Sequence, residues 1–294
     1  MNINPVMKKE LKVRMRNWKA AGMIAAYVGV LILVVVFILL NTVMDPYYSS
    51  FRGESFMAIY NTLAIIQFML ITFIVPALTA GSISGERERQ TLDLLLCTKL
   101  STKSIILGKL FTSINQILLL IVASLPVFSI IFLFGGISII ELLQLLVFYI
   151  VLTITIGSIG IFFSTHLKRT TPATVLTYAF TAFLILGTIF FAVFYVRIYL
   201  KTWSSQETFP LMYLNPLAGF GSLLASQFGM ENAFNIPGVY VAAANSKIPF
   251  WILNSIINLI MAGIFLFLSA LKLNPTKKKR KIHFRKNTKQ TRDM

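Results

Sequence analysis

Long uncharged runs alternate with short charged clusters along this chain. The runs cover residues 20–40, 55–85, 110–140, 142–165, 170–196 and 248–271. Each exceeds the ~18 apolar residues that suggest a membrane-crossing helix. The pattern therefore predicts an all-α integral membrane protein with six spans. Their expected limits are about 20–41, 56–82, 104–134, 139–166, 172–198 and 248–271. A seventh uncharged run, 208–230, contains Pro210, Asn215 and Pro216. Such backbone breaks are costly in bare lipid, so this run reads as re-entrant or interfacial. Within it Leu217, Phe220, Leu223 and Leu224 fit one face of a short helix, with Pro216 in its first turn. The region 197–247 is apolar enough to pack on the membrane face.

The polar segments set a topology. Six Lys and Arg precede the first span, five surround the segment between spans 2 and 3, two separate spans 4 and 5, and ten follow residue 271. The alternate segments hold one, none and three. By the positive-inside rule both termini are cytoplasmic. The net charge of +17 is then first of all topological and implies no nucleic-acid partner. Composition agrees: mean hydropathy is +0.78 and only 13% of residues are charged, against roughly 25% in soluble domains. Before the first span, Met7, Leu11, Met15 and Trp18 recur at helical spacing, with Lys8, Lys9, Lys12, Arg16 and Lys19 opposite them. That pattern suits an elbow helix lying in the headgroup layer; a topogenic basic tail is the plainer alternative. Residues 1–272 form one membrane domain, and 273–294 a basic cytoplasmic tail that either contacts anionic lipid or is simply solvated.

The chain lacks energy-converting chemistry of its own. Gly108-Lys109 has no upstream glycine at P-loop spacing. His166 and His283 stand in no metal motif, and the single Cys97 cannot form an internal disulfide. No Asp, Glu, Lys or Arg lies near mid-membrane, where ion-coupled carriers commonly keep them. The deepest polar side chains include Gln67, Gln116, Thr153, Thr155, Asn254 and Asn258. Asn254 and Asn258 share a helix face, and side chains of this kind more often join helices than bind substrate. These gaps disfavour an intramembrane enzyme and a secondary carrier. They predict no catalytic, cofactor or metal site.

One segment stands apart. Residues 84–100, SGERERQTLDLLLCTKL, place Glu86, Arg87, Glu88, Arg89 and Asp93 among leucines at helical spacing, between two spans. Either it grips something in the cytosol or it is a solvated connector whose charges keep it out of lipid.

From Gly85 to Thr98 this segment resembles the cytoplasmic loop of bacterial ABC transporter permeases of the type 2, exporter class. That loop reads roughly E-[RK]-E-x-G-T-[LI]-[ED]-x-L-L-x-T-P-[LVI]-S, followed by a glycine-lysine pair entering span 3. The counterparts here are Glu86, Glu88, Thr91, Asp93, Leu95, Leu96, Thr98, Leu100, Ser101 and Gly108-Lys109. Gln90 stands where glycine is usual, and Lys99 where proline is usual. The motif covers about 25 residues. The elbow, the six spans and Asn215-Pro216 before a short outside helix extend the likeness along the chain.

The resemblance implies that 84–100 is a coupling helix seated in a separate ATP-hydrolysing subunit. Glu86, Arg87, Glu88, Arg89, Thr91 and Asp93 would then contact the ATPase. Leu92, Leu95 and Leu96 would pack the segment on the permease's own spans. It further implies a non-catalytic permease in the plasma (inner) membrane, paired with a second or homologous permease around an export pathway. ATP and Mg would be bound by the partner. An alternative within the family is a subunit used for resistance, sensing or extraction of a membrane-bound peptide or toxin.

Overall fold

The computed structural model describes residues 18–44, 53–92, 97, 102–133, 137–195, 197–198, 209–228 and 248–273. The amphipathic positions Met7, Leu11 and Met15, the site candidates Asp93, Leu95 and Leu96, and residues 274–294 of the basic tail lie outside these. Among the described residues there are no strands.

Six helical stretches are long and apolar enough to cross a membrane. They are α1 (Trp18–Met44), α2 (Gly53–Thr79), α4 (Thr102–Leu133), α5 (Ile139–His166), a divided fifth span and α9 (Phe250–Leu273). The fifth span runs through α6 (Thr170–Ala182), a π turn (Phe183–Gly187) and α7 (Thr188–Tyr195). Between α2 and α4 sits the short α3 (Ser84–Glu88). Before α9 a 3-10 turn (Pro210–Leu214) leads into α8 (Pro216–Phe228).

The middle span α5 is the hub. It packs against α2, α4, α6, α8 and α9 and is far more buried than α1. In lipid the tails are as apolar as leucine, so close packing, more than water exclusion, holds helices together. The sequence of α5 supplies that closeness with Thr153, Gly157, Ser158, Gly160 and Ser164, all buried. Gly160 is required: a Cβ there would overlap Thr79 Oγ1 and lie 2.9 Å from Thr79 Cβ, so α2 crosses α5 backbone to backbone. The hydroxyls are satisfied locally. Thr153 donates to Tyr149 O at 2.7 Å and Thr155 to Val151 O at 2.9 Å, which leaves their helix faces free to pack.

The seventh apolar run enters the bundle. Phe220 stacks on Phe68 at 4.7 Å and packs against Phe148 and Tyr149, so α8 reaches the core between α2 and α5. One apolar face was expected, but Ala218, Gly219, Gly221, Ser222 and Ala225 are buried too. Small side chains allow that all-round burial. A Cβ on Gly219 would overlap the Asn254 amide of α9. At the far end of α8, Tyr60 donates to Gln227 Oε1 at 2.9 Å and Gln227 Nε2 to Glu141 O at 2.9 Å. These bonds tie α8 to α2 and α5.

Two side chains make the junction before α8. Asn215 Oδ1 accepts from Leu217 N at 2.8 Å, capping the helix, while its Nδ2 donates to Ile185 O at 3.0 Å inside the π turn and to Thr188 Oγ1 at 2.8 Å. Asn254 Nδ2 donates to Tyr213 O and Asn215 O, both at 2.9 Å, and Asn258 Nδ2 donates to Asn254 Oδ1 at 2.9 Å. Asn254 thus binds α9 to the junction before α8, while Asn258 bonds only within α9 and steadies the Asn254 side chain.

Candidate functional site

The charged segment follows α2 at one end of the bundle and bonds to α4, α5 and α6. Span 2 ends at Thr79, and residues 80–83 make a turn in which Ser82 N bonds Thr79 O at 3.1 Å. The chain then re-enters helix for the five residues of α3. No side chain of its own caps α3. The cap comes from α5: Ser164 Oγ accepts from Ile83 N and Ser84 N, each at 2.9 Å. Ser164 and Ser84 are both fully buried, so those amides have no access to water and need this partner.

The helix was expected to run on through residue 100. It ends at Glu88 because Gln90 adopts φ 58°, the left-handed conformation. Gln90 N donates to Arg87 O at 3.1 Å and Thr91 N to Glu86 O at 2.9 Å. This pair of bonds is the Schellman closure, in which a left-handed residue stops the helix and satisfies its last carbonyls. Glycine is the natural occupant of such a position, since any Cβ is crowded there. Gln90 is thus the departure from the usual loop sequence that the backbone geometry makes consequential.

The charges around this stop are engaged. Glu86 pairs with Lys109 of α4 at 2.8 Å, the lysine being 4% and the glutamate 27% exposed, and Thr91 Oγ1 donates to the same carboxylate. Arg87 reaches the end of α5, donating to Leu167 O at 2.7 Å and Thr165 O at 3.2 Å. Glu88 reaches the start of α6, accepting from Thr170 N at 2.9 Å and from Thr170 Oγ1 at 3.0 Å. The two helices meeting at the turn 167–169 are therefore each closed by a charge of the favourable sign: a cation on the last carbonyls of α5, an anion on the first amide of α6. The N-cap residue of α6, Arg169, provides no side-chain cap of its own.

Arg89 and Gln90 are exposed, as are Lys168 and Arg169 beside them. Leu92 is buried against Ile83, Ile105, Ile106, Leu110, Ile114, Ile161 and Leu273, anchoring the chain beyond the stop to α4, α5 and α9. Of the candidate contact residues, then, Arg89 points to solvent, while Glu86, Arg87 and Glu88 hold the segment to its own bundle. Sequence reasoning did not single out Ser164, Thr170 or the ion-pair role of Lys109. Ser164 and Ser84 are 80 positions apart, and a hydroxyl near the end of an apolar run carries no periodic signal.

A six-span helical bundle whose described solvent-facing ends include one compact charged segment defines a multi-pass membrane protein. Its sequence matches the family model described as ABC-2 family transporter protein over residues 4–270, and the chain belongs to that family. It is accordingly a membrane subunit of an ABC transporter, a family whose membership implies an ABC ATPase partner. A search of curated proteins finds no match to the chain.

Proposed function

We propose that this chain is the membrane-spanning subunit of an ATP-driven exporter. Two such subunits pair around a pathway, with ATP and Mg bound by separate ATPase subunits on the cytoplasmic side. The segment from Ser84 onward is the part that couples to the ATPase, and both termini are cytoplasmic. The observation that carries this reading is the exposed Arg89-Gln90 tip on a segment otherwise fastened to the bundle, in a family member without a P-loop of its own. A rigid, charged projection suits docking because its side chains lose little freedom when a partner seats on them. Export, rather than uptake, follows from the likeness of residues 85–98 to the exporter-class loop.

The test uses a tagged full-length chain recovered from its native membrane with its ATPase. The exposed Arg89 side chain makes no hydrogen bond to the described residues, and its backbone bond to Gly85 O does not depend on side-chain identity, so Arg89→Glu should leave the fold intact. It should weaken ATPase association roughly tenfold, equivalent to about 1.4 kcal/mol. Recovery of no ATPase with the wild-type chain, or undiminished binding by Arg89→Glu together with unaltered hydrolysis, refutes the proposal.

A further inference from the structure

A short segment that receives a push must pass it on, and three routes leave α3. The covalent route to α2 runs through the turn 80–83 and on to Pro76, which removes one amide from the helix ladder. The route to α4 is the Glu86–Lys109 ion pair together with the apolar packing of Ile83 and Leu92 among Ile105, Ile106 and Leu110, which carries no directional bond. The route to α5 and α6 is different in kind. Ser164 holds the start of α3 by two backbone amides, and Arg87 and Glu88 hold the end of α5 and the start of α6. The Thr170 methyl also rests 3.6 Å from where a Cβ on Gly85 would sit, so only that methyl lies between the two backbones.

We propose that the Ser84–Glu88 turn delivers its motion chiefly to spans 4 and 5, with Arg87 and Glu88 as its grips and Ser164 and Thr170 as its anchor points. The inference rests on the reading of the chain as a subunit driven by an ATPase, and it assigns Arg87 and Glu88 inward roles. The geometry has the required stiffness. Arg87 spans two carbonyls with a planar guanidinium, which resists rotation in a way a single donor does not. Glu88 accepts from both the amide and the hydroxyl of Thr170. Rotating α3 therefore turns the 167–169 corner with it. α5 continues into the glycine crossing with α2, and α6 continues into the π turn held by Asn215. Ser164 and Thr170 act through α3 by holding its backbone amides and Glu88; they are positioning residues.

The experiment follows α6 directly. In a Cys97→Ser background, spin labels are placed at Val175→Cys on α6 and Ile32→Cys on α1, both at exposed positions. The chain is reconstituted with the ATPase that co-purifies with it, and the label distance is compared between nucleotide-free and vanadate-trapped states. Trapping should shift the wild-type distance. Thr170→Val, nearly isosteric, and Ser164→Ala should bind the ATPase with unchanged Kd yet reduce that shift by at least half. Thr170→Ser, which restores the hydroxyl, should recover it. Should Ser164→Ala not fold, Thr170→Val and its rescue decide the matter. Wild-type shifts in the anchor variants, no shift in the wild-type complex, or an equal loss of ATPase affinity overturn this inference alone. A wild-type chain that binds no ATPase overturns the functional reading with it.

Discussion

Gln90→Gly should tighten the end of α3, and the size of the effect can be worked from the backbone. A non-glycine residue in the left-handed region costs roughly 1–2 kcal/mol. Glycine removes that cost but gives up about 0.5–1 kcal/mol through its greater freedom in the unfolded chain. The net gain is about 0.5–1 kcal/mol, or roughly two- to fivefold in a local opening equilibrium. It falls on the two bonds that close the helix, Gln90 N to Arg87 O and Thr91 N to Glu86 O. Hydrogen exchange of the peptide spanning 84–92, in detergent or nanodiscs, reads it directly. The 90 and 91 amides should exchange roughly two- to fivefold more slowly in Gln90→Gly. They should exchange faster in Gln90→Val, whose branched Cβ fits this conformation worst. Because Gln90 is exposed, neither change alters packing. Equal rates in wild type, Gly and Val would falsify the left-handed stop. They would mean that the segment runs on as helix past Glu88.

Three further outcomes are expected. Gly160→Ala should lower resistance to denaturation by SDS by about 1–3 kcal/mol, from overpacking against Thr79, whereas Gly263→Ala, which meets nothing within 4 Å, should not destabilise. Asn254→Ala removes the donor from the buried Met212, Tyr213 and Asn215 carbonyls, and a loss of about 1–3 kcal/mol should appear as a lower thermal midpoint in detergent. Glu86→Gln and Lys109→Met should each destabilise, while the double variant loses less than their sum. The coupling, about 1–2 kcal/mol from a double-mutant cycle in denaturant, vanishes if the pair is only incidental.

The spans were legible in the sequence because lipid imposes a one-dimensional rule: any stretch that crosses must be long, apolar and internally hydrogen-bonded. Six uncharged runs therefore became six helical stretches long and apolar enough to cross a membrane. The breaks at Pro210, Asn215 and Pro216 likewise announced a non-spanning element. The spacing of Asn254 and Asn258 placed them on one helix face, but not the Tyr213 and Asn215 carbonyls that Asn254 alone reaches. The charged segment was visible as an anomaly, and residues 85–98 carried the family likeness.

The sequence by itself could not say where the charges of that segment point. Glu86, Arg87, Glu88 and Arg89 are four adjacent charged residues in the chain, yet they part company in space. The first meets α4, the second closes α5, the third opens α6 from an exposed position, and the fourth is exposed with its side chain turned to solvent. The depth of α8 was equally hidden, since Phe220 stacks on Phe68, 152 positions earlier in the chain. Periodicity records how a residue sits on its own helix. The partners of a cap, a buried hydroxyl or a glycine crossing are set by which helices come to lie side by side, and that is decided by packing among residues far apart in the chain.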